Sequence, residues 1–168
     1  MATSDPVENS DQLRPGLWQT VNDRYPGSMI HNDQHVALAK LKKPLAECRL
    51  GFVSTSGVQP ATSMPFDVVH PVGDYTFRQV PSDSATSDLE IHQLKYPTFG
   101  ANRDLNVIYP IDRLGELVAE GFVGSLTDNL YSFIGYNMDP HRLQQSLAED
   151  IADAFEKEAA DIVLAAPA

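Results

Sequence analysis

The sequence predicts an α/β protein in which a mostly parallel sheet is flanked by helices and preceded by an irregular N-terminal arm. Short apolar segments with strand character alternate with two segments of helical periodicity from about residue 105 onward. This alternation is typical of parallel sheets whose crossover connections are helices. Residues 45–168 are therefore expected to form the α/β domain, and residues 1–44 the arm.

The predicted arm is rich in Pro, Gly, Asn, Asp and Gln and has little apolar periodicity. That composition favours irregular structure over helices or strands. Such an arm is suited to wrapping around a partner, with Trp18, Tyr25 and Met29 as the expected anchors.

The first strand is expected at residues 48–53, a compact apolar run that leads into the polar turn Ser54-Thr55-Ser56-Gly57. Prolines predict a loop over residues 58–75, followed by short strands at 76–80 and 88–93. Further apolar runs complete the strand pattern; they lie at residues 107–109, 122–126, 130–136 and 161–165. The last of these is rich in β-branched and small apolar residues and is predicted to be buried.

Two helices are expected between the later strands. In the first, Ile111, Leu114, Leu117 and Val118 recur at helical spacing, and Gly121 lies where a C-terminal cap belongs. Asp139 and Pro140 have the residue types preferred at the start of the second. Its apolar stripe indicates a core-facing surface rather than a cofactor site; the stripe is formed by Leu143, Leu147, Ile151 and Phe155.

Composition excludes several classes of function. The 168 residues contain 12 Lys and Arg against 23 Asp and Glu, a formal charge of -11 that repels nucleic acids and anionic membranes. The N-terminal residues lack the apolar stretch of a signal peptide, and no run is long enough for a membrane span. With Cys48 as the single cysteine, no internal disulfide can form, and the cytoplasm is the expected compartment.

No metal site is predicted. His31 and His35 have the spacing of a helical metal pair, but their surroundings predict a loop and no Glu follows in the metalloprotease pattern. Cys48 begins a strand, far from its carboxyl end, and is expected to be a small buried apolar residue rather than a nucleophile.

Candidate binding residues lie where predicted strands end, because sites in parallel sheets form beyond the carboxyl ends of the strands. Ser54, Thr55, Ser56 and Gly57 could hold a substrate carboxylate through hydroxyl and N–H groups, or could form an ordinary strand-ending turn. The same two interpretations apply to Tyr131 and Ser132; no His–Asp neighbourhood supports serine hydrolysis there.

Asp74 and Arg78 form the second candidate group. A guanidinium suits two-point contact with a carboxylate, so this pair is a candidate clamp for the same substrate. The alternative is a surface hairpin in which both side chains are simply solvated.

Several phrases, taken in order, resemble component B of the glycine, sarcosine, betaine and D-proline reductases. They cover roughly residues 18–168 and include KPLAECR (43–49), LGFVSTSGV (50–58), PFD (65–67), GDYTFRQVP (73–81), NVIYPIDRL (106–114), YSFIG (131–135), DP (139–140) and ADIVLAAPA (160–168). Where the family has a His- and Asp-rich stretch, this sequence has QLKYP at 93–97, in which the tyrosine alone is kept. His92 lies beside that segment and is a candidate for part of its role.

The resemblance implies reductive cleavage of a C–N bond next to a carboxylate in a small amine. In that family a selenolate or thiolate attacks the substrate, and a companion chain often carries a pyruvoyl group. The selenocysteine or cysteine would follow the strand at 161–165, beyond Ala168, so this chain is expected to supply the surrounding wall and no cofactor of its own. Either the chain was read to a UGA codon, or the enzyme is split between chains, or the protein is a paralogue that scaffolds an active homologue.

Association with a homologous or redox subunit in a hetero-oligomer is expected, because the last predicted strand has no helix after it to cover it. A racemase-like domain is a further alternative from fold analogy alone, and the lack of paired cysteines argues against it.

Overall fold

The computed structural model describes residues 15–26 and 39–168. It divides into two units, Met1–Gln34 and His35–Ala168. In the first unit, helix α1 (Pro15–Arg24) begins with proline. Proline is favoured at the first helical position because an N–H group there would have no hydrogen-bond partner within the helix. The segment predicted to be irregular therefore contains ten residues of helix. Met29, His31 and His35 lie outside the described residues, and the 44/45 boundary stays a prediction.

The second unit is built on a five-stranded sheet with a separate two-stranded ribbon. In chain order the strands are β1 (Arg49–Ser54), β2 (Val58–Pro60), β3 (Phe77–Pro81), β4 (Leu89–Ile91), β5 (Ser125–Leu126), β6 (Asn129–Phe133) and β7 (Ile162–Ala166). Strand β1 pairs in parallel with β5 and β6 along one side and with β7 along the other. Antiparallel pairing places β3 beside β6, and β2 beside β4. The mostly parallel α/β sheet predicted from the sequence is confirmed.

Helices cover both faces of this sheet. Helix α2 (Ile111–Ala119) ends before Gly121, which has φ +73° and so adopts the left-handed conformation expected of a C-terminal cap. The second helical segment consists of a turn, α3 (Pro140–Arg142), a π-helical stretch (Leu143–Leu147) and α4 (Ala148–Lys157). The Asp139 carboxylate accepts a hydrogen bond from Arg142 N at 3.0 Å, as predicted for the N-cap.

Alternation along each strand divides the core into two clusters. Leu50, Phe52, Val80 and Leu130 face α2, whose buried residues belong to the same cluster. On the other face, Tyr131 packs with three residues of the predicted stripe, Leu147, Ile151 and Phe155. The stripe is therefore core, as its spacing predicts.

The predictions for two apolar runs need correction. Residues 107–109 do not form a strand: Leu105–Val107 is a 3₁₀ turn capped by Asp104, and Tyr109 is fully buried in the core beside Phe52. Strand β7 is not buried, since Val163 and Leu164 are 41% and 45% exposed. It does lie in the sheet, paired with β1 over its whole length. Nowhere in residues 15–26 and 39–168 is a helix both long and apolar enough to cross a bilayer.

Candidate functional site

The carboxyl ends of the parallel strands meet at one edge of the sheet. Ser54 of β1 pairs with Ser132 of β6 on one side and with Ala166 of β7 on the other. Arg78 of the antiparallel β3 pairs in turn with Ser132. Four strands thus place these residues in one row, and the spacing of neighbouring strands puts Arg78 roughly 10 Å from Ser54. We call this the carboxyl edge.

Three serine hydroxyls at the carboxyl edge are buried and bonded within the protein. Ser54 Oγ donates to Ile108 O at 3.2 Å and accepts from Ser56 N at 3.2 Å. Ser56 Oγ lies 3.4 Å from Ser132 Oγ and also accepts from Val58 N. None of the three residues exceeds 1% exposure. These hydroxyls hold the turn after β1 against the end of β6.

Thr55 is the half-buried hydroxyl residue of this turn. Its Oγ1 accepts a hydrogen bond from Ala168 N at 2.9 Å, and its backbone N bonds Ala166 O at 3.3 Å. Its carbonyl accepts from Gly135 N at 3.2 Å. Thr55 therefore joins the segments that follow β1, β6 and β7.

The loop after β4 crosses the same turn. His92 N donates to Gly57 O at 2.8 Å, and the Tyr96 hydroxyl donates to Ser56 O at 2.7 Å. Gly57 has φ +68°, and a Cβ there would collide with His92 O. Burial raises the pKa of the Tyr96 hydroxyl, so it stays protonated and keeps donating. The sequence signal for Tyr96 was that this tyrosine is kept within QLKYP. No feature of the sequence indicated that its hydroxyl contacts Ser56.

Asp74 and Arg78 lie together at the margin of the edge and line a depression of about 460 Å³. Arg78 donates to Met64 O at 2.8 Å, Thr76 Oγ1 at 2.8 Å and Pro65 O at 3.3 Å, and its guanidinium lies 4.1 Å from the centre of the Phe66 ring. Burial alone would raise the pKa of Asp74, but hydrogen bonds from Thr76 and Asp67 N, with the nearby Arg78 charge, lower it.

Tyr131 is directed away from this group. Its ring packs edge-to-face on Phe77 and Phe155 beneath α4. The hydroxyl donates to Glu158 Oε1 at 2.6 Å, near the amino end of β6. Burial, together with the Glu158 carboxylate, raises the pKa of Tyr131. Neighbours in sequence, Tyr131 and Ser132 thus face opposite layers of the protein.

The single cysteine lies at the opposite end of β1. Cys48 precedes the strand, is fully buried, and its Sγ lies 3.4 Å from Pro44 O. It is remote from the carboxyl edge along the full length of the strand, so it provides no thiol there. Within the described part of the chain, no three His, Cys, Asp or Glu side chains are grouped to hold a metal ion.

Fold and edge together define an α/β domain that gathers hydroxyl, phenol and guanidinium groups at the carboxyl ends of its strands. No protein-family model matches the chain, and no solved structure matches it. Among curated proteins, the D-proline reductase subunit gamma of Acetoanaerobium sticklandii is 28% identical over 122 residues. This match covers 73% of the chain and 49% of the relative, so the chain spans about half the length of that protein. The comparison supports a distant relation to the reductases.

Proposed function

We propose that this chain is one subunit of a reductase that breaks the C–N bond next to the carboxylate of a small amine, with the nucleophile supplied by another chain or by a continuation of this one. The observation that carries the proposal is the carboxyl edge itself, where three strand ends are tied together by Thr55. The relation to a D-proline reductase subunit supports the reaction class and the heteromeric assembly.

The edge offers suitable chemistry for the substrate carboxylate. Thr55 is the hydroxyl residue of the turn with part of its surface accessible, whereas Ser54, Ser56 and Ser132 act by fixing the backbone around it. Arg78 donates through three nitrogens to the protein, and one N–H of Nη2 has no acceptor in the described residues. We assign carboxylate binding to Thr55 and Arg78, with Gly57 allowing close approach and Asp74 fixing the loop beside them.

The nucleophile is assigned to another source because no thiol of these 168 residues reaches the edge. Cys48, their single cysteine, is buried at the far end of β1. In the proposed complex, a selenolate or thiolate from that source would supply the attack on the α-carbon, and a pyruvoyl group on a partner would supply activation of the amine. A homologous or redox subunit is the proposed partner, and the outer edge of β7, where Val163 and Leu164 are exposed, is a suitable contact surface.

A specific observation favours a second candidate, a paralogue that scaffolds an active homologue without contacting substrate. The buried serine hydroxyls are already bonded within the protein, as in a turn with a purely structural role.

Activity of the native complex separates the two candidates. The chain is tagged in its own host and purified with its partners, and D-proline reduction by a dithiol is followed through the ring-opened product, 5-aminopentanoate. A lysine keeps the charge of Arg78 but loses the fork that binds a carboxylate in two places. We expect Arg78→Lys to raise KM for D-proline about tenfold, whereas the exposed Arg113→Lys leaves it unchanged.

An active complex with the wild-type KM in both variants and in Thr55→Val supports the scaffold instead. A complex that cleaves no D-proline, sarcosine, glycine or betaine rejects the reductase proposal.

A further inference from the structure

A histidine–carboxylate pair lies beside the carboxyl edge. His92 Nε2 is 2.7 Å from Glu90 Oε1, with both residues on or just after β4. The ring is partly accessible, since the side chain is 28% exposed. In the described part of the chain no hydrogen bond engages His92 Nδ1. If Nε2 carries the proton shared with Glu90, the neutral ring presents Nδ1 as an acceptor, and the protonated ring presents it as a donor.

A buried amide holds the carboxylate of this pair in place. Gln59 is fully buried, and its Nε2 donates to Glu90 Oε1 at 3.2 Å and to Ser63 O at 3.5 Å. Its own Oε1 is buried without a partner, an unfavourable state for an amide in a folded protein. Reversing the amide would turn its oxygen toward the Glu90 carboxylate, so the present orientation is fixed by charge.

The pair is also positioned relative to the edge. His92 N donates a backbone hydrogen bond to Gly57 O at 2.8 Å, and Gly57 is two residues beyond Thr55. Any side chain at Gly57 would displace this contact. The other titratable groups on the adjoining segment are Lys95, whose ammonium lies 4.3 Å from the centre of the Tyr136 ring, and Tyr96, bonded to Ser56 O. Neither makes a hydrogen bond to His92, which leaves Glu90 as its charged partner.

We propose that His92 is the acid that protonates the departing nitrogen, and that Glu90 and Gln59 are the residues that position it. The inference rests on the proposed function. A thiolate or selenolate bonds to the α-carbon, the Cα–N bond breaks, and its electron pair stays on nitrogen, which takes the Nδ1 proton. His92 is then neutral and regains a proton from solvent. A second thiolate then attacks the chalcogen: a bond between sulfur and the chalcogen forms, and the bond between carbon and the chalcogen breaks with its electron pair on carbon, which takes a proton. The carbon is reduced, and the thiolate and the chalcogen are together oxidised to a mixed disulfide or selenosulfide.

The test uses the native complex with His92→Gln and, as a matched control, the exposed His141→Gln. General acid catalysis contributes about 10²–10⁴-fold. We expect His92→Gln to lower kcat for D-proline at least about 100-fold with KM within twofold, and His141→Gln to change neither.

Two positioning variants give a readout that does not depend on turnover. In Glu90→Gln and Gln59→Leu, ¹⁵N spectra recorded on the neutral ring should show the His92 imidazole change from the Nε2–H tautomer to a mixture, because the ring orientation is no longer fixed, and kcat should fall as well. The exposed Glu120→Gln serves as the control.

The outcomes separate the two proposals. An active wild-type complex in which His92→Gln keeps its kcat, or changes KM alone, overturns the role of His92 and leaves the proposed function standing. An unchanged tautomer in both positioning variants overturns the role of Glu90 and Gln59. An inactive wild-type complex rejects the proposed function together with this inference.

Discussion

Glu158 is the residue that ties the end of α4 to β6. Its carboxylate accepts hydrogen bonds from the Tyr131 hydroxyl at 2.6 Å and from Asn129 N and Nδ2, each at 2.9 Å. Burial alone would raise the pKa of Glu158, but these hydrogen bonds outweigh it and lower the pKa. The ionised form is therefore favoured in the folded protein over the unfolded chain.

This lowered pKa predicts a pH dependence of stability. The contribution of Glu158 is present above the unfolded carboxyl pKa of about 4.3, and it is lost as pH falls through the lower folded value. We expect Glu158→Gln to destabilise the protein by about 1–2 kcal/mol at pH 7, with the difference shrinking below pH 4. Urea unfolding of both proteins from pH 3 to 7 measures this. The exposed Glu156→Gln is the control. If the difference in the free energy of unfolding between wild type and Glu158→Gln stays constant with pH, the expectation is contradicted.

The sequence predicted which residues lie at the carboxyl edge, but it did not predict which way their side chains point. The position of Ser54, Thr55 and Ser132 followed from where apolar runs end, because parallel strands share one carboxyl edge. Whether a hydroxyl faces the ligand or the protein depends on loops distant in sequence. Ser54, for example, donates to Ile108, 54 residues away, and local pattern carries no information about such a contact.

At the scale of elements, helix α4 lies close to the sheet at Gly51. A Cβ there would overlap the Phe155 ring of α4. That ring cannot move freely, because it packs edge-to-face on Tyr131 with centroids 4.7 Å apart. The absence of a side chain at Gly51 thus sets how near α4 lies to β1.

This close contact predicts that the stability effects of substitutions at Gly51 and Phe155 are coupled. Gly51→Ala should destabilise the protein by about 1–3 kcal/mol through overpacking. Phe155→Leu creates space at the same point, so the double variant should lose less stability than the sum of the two single variants. Chemical unfolding of all four proteins measures the coupling energy, which we expect to be about 0.5 kcal/mol or more. Gly115→Ala is the control, since a Cβ there meets nothing within 4 Å. Strict additivity would contradict the packing argument.

Element types were predictable where periodicity and caps agreed, as in α2 and at Asp139. Prediction was wrong for residues 107–109, because a short apolar run is compatible with a strand or with a buried turn. There the Asp104 side chain accepts from Asn106 N and so begins a 3₁₀ turn instead. Residues 58–60 were predicted as part of a loop because of the prolines in that segment. They form strand β2, which pairs with β4 rather than with the main sheet.

At the scale of the whole molecule, the sheet has an apolar outer strand. β7 pairs with β1, and within the described residues nothing pairs with its other side. Its sequence, IVLAA, contains neither the charge nor the proline that usually protects an edge strand from pairing. The sequence predicted the strand correctly and its burial wrongly. An apolar composition indicates that the strand suits an apolar environment, but it cannot tell whether this chain or another chain provides that environment.

Leu164, on the outer edge of β7, gives the prediction that tests assembly. Leu164 is 45% exposed and lies outside both core clusters, so Leu164→Lys should change the free energy of unfolding of the chain by no more than about 0.5 kcal/mol. A lysine placed in an apolar contact would be desolvated without a partner, and association should weaken by tenfold or more. Light scattering and co-purification from the native host measure the assembly, with Val107→Lys, at a residue 69% exposed on another surface, as the control. If Leu164→Lys retains the full complement of partners while Val107→Lys loses them, the assembly surface lies near the 3₁₀ turn and not on β7.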